Sequence, residues 1–341
     1  MNAISSPQQT ALRLGTRRSA LARTQSQTVA DALTAATGRT VDLVEISTLG
    51  DTSSAALTQI GGTGVFVTAL RTALQDGRID LAVHSLKDLP TLPAPDVVVA
   101  ALPPREDPRD VLVARDNLTL GELPAGARIG TGSPRRAAQV LALGLGHEPE
   151  PVRGNVDTRL AMVADGKLDA VLLARAGLLR LGRADEATEV IDPLQMLPAP
   201  GQGALAVECR SDDPELARLL SVLDDPDTRA AVTAERALLT ALEAGCLAPV
   251  GALAEVVEGM AGELEISLRA VVAAPDGSAL LRQSLVGPAD DPVGLGRRLA
   301  ALLLEDGAAD LMPAAEARHP PPLLPSAQLP PDQHHLPERA S

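Results

Sequence analysis

The densest chemistry in the chain lies in His84-Ser85-Leu86-Lys87-Asp88-Leu89-Pro90, directly after the apolar run Leu81-Ala82-Val83. A buried strand that surfaces there presents polar side chains at its carboxyl end, where open parallel sheets bind ligands. Lys87 stands out because Lys167 is the only other lysine, against 28 arginines. Asp88 has two readings. It caps a turn ahead of Pro90, or it is a carboxylate aimed into a cleft, able to exchange a proton or stabilise a cation.

Arginine placement gives a second signal. In Gly130-Thr131-Gly132-Ser133-Pro134-Arg135-Arg136, Ser133 fits an N-cap and Pro134 the first helical position. Arg135 and Arg136 then fall in the first turn, where the helix dipole disfavours cations by ~0.3–1 kcal/mol each. A bound anion offsets that penalty, because the same turn presents free N–H groups. Arg17-Arg18 after Gly15-Thr16 repeats the arrangement, and Arg153-Gly154-Asn155 with Arg159 forms a third basic helix start. A solvated basic face explains any one pair. Three such sites in a chain of net charge −14 point to a ligand with several carboxylates or phosphates. Neither a Walker A pattern nor GxGxxG occurs, which disfavours nucleotide phosphates.

Cys246 is the third signal, in Ala244-Gly245-Cys246-Leu247-Ala248-Pro249, where Gly245 ends a helical run and leaves the thiol on a loop. Cys209 sits inside an apolar strand and reads as a small buried hydrophobe. Two cysteines make no disulfide framework. Without CxxC or HExxH, and with His319, His334 and His335 all in the Pro-rich stretch 313–341, no metal site is expected.

Two short motifs recur in the same order. Arg13-Leu14-Gly15-Thr16 is matched by Arg128-Ile129-Gly130-Thr131, and Asp76-Gly77-Arg78-Ile79-Asp80 by Asp165-Gly166-Lys167-Leu168-Asp169. Continuous apolar strands follow, alternating with helical stretches, as in βαβ units with parallel sheet. The expected fold class is α/β with two similar lobes. The first covers 12–103 plus a returning strand in 204–221, and the second covers 108–198. Pro103-Pro104 and Pro198-Ala199-Pro200 read as hinges. A third small α/β domain spans 227–312, with a helix over 229–244, three strands and a final helix over 292–305. The segment 313–341 is expected to be a disordered tail.

Composition excludes several classes. The single aromatic residue, Phe66, leaves no stacking platform for bases and no aromatic membrane belt. A pI near 4.8 opposes phosphate-backbone binding. No apolar run approaches the ~18 residues of a membrane span, and the first ten residues lack a leader pattern. A cytoplasmic protein with no nucleic-acid or membrane partner is expected.

Gly15-Thr16-Arg17-Arg18-Ser19, Val83 to Pro90, Arg105-Glu106-Asp107-Pro108-Arg109-Asp110, Gly130 to Arg136, Arg153-Gly154-Asn155-Val156, Pro200-Gly201-Gln202-Gly203 and Glu243-Ala244-Gly245-Cys246 appear in order. Together they resemble the porphobilinogen deaminase (hydroxymethylbilane synthase) family, over about Leu12 to Met312. The resemblance implies two lobes like class II periplasmic binding proteins, an interlobe cleft, and a third domain carrying the cofactor cysteine. It implies stepwise condensation of four porphobilinogen molecules into hydroxymethylbilane, with release of ammonia, on a dipyrromethane primer held by a thioether to Cys246. Asp88 matches the catalytic aspartate, which would stabilise the azafulvene cation. Lys87, Ser133, Arg135, Arg136 and Arg153 match cofactor contacts; Arg17, Ser19, Thr131, Arg159 and Arg180 match substrate contacts. Relatives are usually monomers, so the resemblance implies a monomer. Thr63, in Gly61-Gly62-Thr63-Gly64, departs from the lysine many relatives carry.

Two other classes share parts of this pattern. A non-catalytic two-lobe anion binder would use the arginines and hinges but has no need of Cys246 or Asp88. A Cys–His acyl-transfer enzyme would pair Cys246 with His84.

Overall fold

The computed structural model describes residues 10–46, 64–244, 248–260 and 262–312. Cys246, Thr63 and the stretch 313–341 lie outside the described residues.

The repeated motifs form one packing unit, built twice. Asp80, just before β3 (Leu81–Ser85), donates its N–H to Arg13 O in β1 (Leu12–Thr16) at 2.8 Å. Its carboxylate accepts from Arg13 N, also at 2.8 Å. In the second lobe β6 (Arg128–Thr131) and β8 (Ala170–Ala174) are tied identically, Asp169 N to Arg128 O at 3.0 Å and Arg128 N to Asp169 Oδ2 at 2.7 Å. The motif glycines allow close approach. A Cβ on Gly15 would lie 2.3 Å from Ile79 Cδ1, and one on Gly130 2.5 Å from Leu168 Cδ1.

Around these units each lobe builds a five-stranded sheet. With β2 (Val41–Glu45), β4 (Val97–Ala101) and β10 (Leu205–Arg210), the first lobe has the order β2-β1-β3-β10-β4. With β5 (Asp110–Ala114), β7 (Glu148–Pro151) and β9 (Glu189–Val190), the second has β7-β6-β8-β5-β9. The first three strands of each order are parallel. β10 and β5, which enter from the crossovers between lobes, run antiparallel to both neighbours. The sheets are therefore mixed, where apolar strands alone suggested parallel sheet. A strand inserted from the opposite lobe arrives in the opposite direction. β10 is the expected returning strand.

Among the described residues the cores are mainly Leu, Val, Ile and Ala. Leu14, Leu33 and Leu81 are fully buried in the first lobe, and Leu112, Ile129 and Leu172 in the second. Truncating one such leucine to Ala costs about 2–5 kcal/mol.

The third domain is an antiparallel sheet, β11 (Val250–Glu258), β12 (Leu264–Ala273) and β13 (Leu280–Pro288). Two helices, Pro226–Ala241 and Pro292–Glu305, pack on it through Leu238, Leu295, Leu299 and Leu303. The first begins three residues earlier than Arg229, because Asp225 Oδ1 caps it by accepting from Thr228 N at 2.7 Å. It stops short of Ala244 because Glu243 turns left-handed at φ 50°. No helix among the described residues is long and apolar enough to cross a membrane.

Candidate active site at the lobe border

The two crossovers, 103–109 and 198–204, run in contact. Gly203 has φ 89°, and a Cβ there would lie 2.2 Å from Glu106 O, so glycine is required on both counts. Arg105 binds the neighbouring crossover and the third domain at once. Its Nε donates to Gln202 O at 2.8 Å, and its guanidinium pairs with Glu235 at 2.7 and 3.1 Å. Glu235, fully buried, also accepts from Gly201 N at 2.6 Å and Ala254 N at 2.8 Å.

β3 ends beside this junction and turns through one 3-10 turn, Leu86–Asp88. Leu86 N donates to Ala204 O at 3.0 Å, and the side chains of Leu86 and Leu89 are buried. That anchoring leaves Lys87 and Asp88 half-buried between them. The Asp88 carboxylate accepts no hydrogen bond among the described residues, so the capping reading is not what the turn uses. Lys87 Nζ donates to Gln202 Oε1 at 3.2 Å. Crowding by protein and the charge of Arg136 push its pKa down to about 8, against the opposing pull of Asp88 and Asp110.

On the second lobe, Ser133 caps the helix Pro134–Ala142 by accepting from Arg136 N, with Thr131 Oγ1 accepting from Ser133 N at 3.2 Å. Arg135 and Arg136 are in the first turn as expected, and both are buried. The anion that offsets the dipole is Asp110 of β5. Its Oδ2 accepts from Arg135 Nη1 at 2.8 Å, and its Oδ1 from Arg136 Nε at 3.1 Å and Nη2 at 2.7 Å. Burial alone would raise the Asp110 pKa, but the two guanidiniums hold it well below the usual carboxylate range. Arg135 also reaches Leu197 O at 2.6 Å and Arg136 reaches Leu172 O at 3.0 Å. Arg135 Nε is buried without a hydrogen-bond partner among the described residues.

Further cations stand close by. Arg159 donates through Nε to Gly154 O at 3.0 Å, and burial together with the Arg136 charge lowers its pKa. Arg180 donates from Nη2 to Gly203 O at 2.6 Å, which ties the second lobe to the hinge. Arg153 is exposed before Asn155, the N-cap of the helix Val156–Ala164. In the first lobe Ser19 caps the helix Ala20–Thr37, so Arg17 and Arg18 precede the cap rather than occupy the first turn. That helix meets the second lobe, with Leu21 beside Gly177.

The structure thus links Lys87 of one lobe, through Gln202 and Asp110, to the Arg135–Arg136 cluster of the other, with Asp88 next to Lys87 in the same turn. Asp110 and Gln202 were missed in the sequence. An aspartate opening an otherwise apolar strand, Asp110-Val111-Leu112-Val113, was the available signal for the first. His84 is buried in the sheet, with Nε2 3.1 Å from Glu208 Oε2 but off the line of a full hydrogen bond. Arg71 completes that group, donating from Nη2 to Glu208 Oε1 at 2.6 Å.

This arrangement defines a two-lobed α/β protein with a smaller third domain pinned to its hinge and a basic site where the lobes meet. Comparison with known proteins gives the particular family. The model described as porphobilinogen deaminase, dipyromethane cofactor binding domain, matches residues 12–218, and that described as porphobilinogen deaminase, C-terminal domain, matches residues 229–305. The porphobilinogen deaminase of Mycobacterium marinum is 60% identical over 305 residues, 88% of this chain and 96% of the relative. That of Nocardia farcinica is 60% identical over 315 residues, 91% of this chain and 90% of the relative. Solved structures with partial likeness include a periplasmic substrate-binding protein from Coxiella burnetii, at 16% identity and TM-score 0.41, covering 63% of this chain and 92% of that one. The chain belongs to the porphobilinogen deaminase family. It is a transferase of tetrapyrrole biosynthesis, a hydroxymethylbilane synthase with a dipyrromethane cofactor.

Proposed function

We propose that Asp88 is the catalytic group of this synthase and that Cys246 carries the primer through a thioether. Lys87, Ser133, Arg135, Arg136 and Arg153 hold the primer's carboxylates, and Arg17, Ser19, Thr131, Arg159 and Arg180 those of the incoming porphobilinogen. The observation that carries this reading is the Asp88 carboxylate, half-buried and without a hydrogen-bond partner among the described residues, in the turn whose Lys87 is acted on by the buried Arg135 and Arg136. The donor set suits a group rich in carboxylates: Arg135 Nε is buried without a hydrogen-bond partner among the described residues, and Lys87, Arg135 and Arg136 share the two carboxylates Asp88 and Asp110.

When bound, the primer supplies a pyrrole carbon nucleophile. The arginines orient the substrate through its two carboxylates. Asp88 stabilises the cation left on the incoming pyrrole as its amino nitrogen departs as ammonia. It then takes the proton released when the new carbon–carbon bond forms. With no hydrogen bond from the described residues, the Asp88 carboxylate keeps lone pairs for both tasks.

Asp88→Ala tests this assignment. Turnover is expected to fall by at least about a hundredfold with the fold intact, and wild-type turnover would end the role of Asp88. A cytoplasmic location, a monomeric state and the absence of a nucleic-acid partner belong to the same proposal. They rest on the acidic composition and the family.

A further inference from the structure

We propose that Gln202 is a positioning residue: its amide spans the lobe border and holds the Lys87 ammonium of one lobe in register with Asp110 of the other. The inference rests on the reading of Lys87 and Asp88 as site residues and adds the group that sets the charge beside them.

Gln202 is buried, on the crossover between Gly201 and Gly203. Its Oε1 accepts from Lys87 Nζ at 3.2 Å, while its Nε2 donates to Pro108 O at 2.7 Å and Asp110 Oδ1 at 2.8 Å. These partners dictate the amide orientation. Lys87 has only donors, whereas the Pro108 carbonyl and the Asp110 carboxylate offer only acceptors, so one of the two flips satisfies all three. The backbone is fixed as well, because Gln202 N donates to Ala199 O at 2.9 Å and Gln202 O accepts from Arg105.

The position demands an amide. Glutamate in the same place would set an acceptor against Asp110 and Pro108 O; methionine would leave all three partners unanswered. Among the described residues the charged groups acting on Lys87 are Asp88 in its own turn, Asp110 of β5, and Arg135 and Arg136 of the facing helix, and in the holoenzyme the primer's carboxylates add to them in wild type and variant alike. Three of these four belong to the second lobe. The charge of Lys87 therefore depends on lobe register, and the side chain that fixes the register at this point is Gln202.

The chain's two lysines give a direct readout. Trace acetylation of the holoenzyme with acetic anhydride across a pH series, followed by peptide mass analysis, yields the Lys87 labelling midpoint, with exposed Lys167 as internal control. In Gln202→Met the ammonium loses its acceptor, and the midpoint is expected to move down by about half a pH unit or more, with the basic limb of kcat/KM moving with it. Simple loosening would admit water and move the midpoint up, so a rise or no change overturns the proposal. Gln202→Glu supplies a second variant should the methionine fail to fold. Its added carboxylate is expected to raise the midpoint, and an unchanged or lower value contradicts the proposal. Lys87→Met separates the underlying reading: wild-type turnover there would remove Lys87 from the site and leave the labelling shift in Gln202 variants standing.

Discussion

Asp110 and Arg136 form a buried two-point pair, with Oδ1 of the aspartate accepting from both Nε at 3.1 Å and Nη2 at 2.7 Å of the arginine. The same carboxylate accepts from Arg135, so one anion on β5 anchors two cations at a helix start. Buried ion pairs contribute little when intact but are costly to break, because the surviving charge stays desolvated. Asp110→Asn is expected to destabilise the enzyme by about 3–5 kcal/mol in urea unfolding. An unchanged midpoint would mean that the arginines find another counter-charge.

Arg153 probes carboxylate binding from the exposed start of a helix, where Arg135 is buried against Asp110 and Leu197 O. Arg153→Ala is expected to weaken carboxylate binding by ~1.5–3 kcal/mol per lost charged hydrogen bond, read as slower loading of the primer when apoenzyme is incubated with porphobilinogen, with the thermal midpoint held. Loading as fast as in wild type would take Arg153 out of the site.

Acid stability turns on Glu208. Burial raises its pKa, but the contact with His84 and the hydrogen bonds from Arg71 outweigh that and hold it at about 2, below the ordinary 4.5. A folded-state pKa below the unfolded one gives stability that is full above about 4.5 and lost as pH falls toward about 2. The loss is on the order of 3 kcal/mol. Urea midpoints at stepped pH should fall through this window, and Glu208→Gln should flatten the fall. An equally steep fall in the variant would assign it to other carboxylates.

Much of the architecture was legible because it is local. The Arg13 and Asp80 motifs, and their counterparts Arg128 and Asp169, announce themselves as repeats since each pair must make the same backbone exchange. The Ser133-Pro134 start was equally plain, its signals lying within a few residues. Asp225-Pro226 carried the same signals and set the true start of its helix. Non-local choices were not legible. Nothing in the local pattern around Gln202 states that Lys87 and Asp110 will flank it, and the apolar runs of β5 and β10 do not reveal their direction. The Arg17-Arg18 pair lies ahead of its helix and not in the first turn, because Ser19 is the cap. Cys246 lies outside the described residues, so its role stands on its motif and on the family.

The most direct test of the account is the intact mass of the denatured protein, followed by peptide mapping around Cys246. A mass excess equal to two linked pyrroles, located on Cys246, is the predicted result. A bare, thiol-reactive Cys246 that stays bare after incubation with porphobilinogen would contradict it.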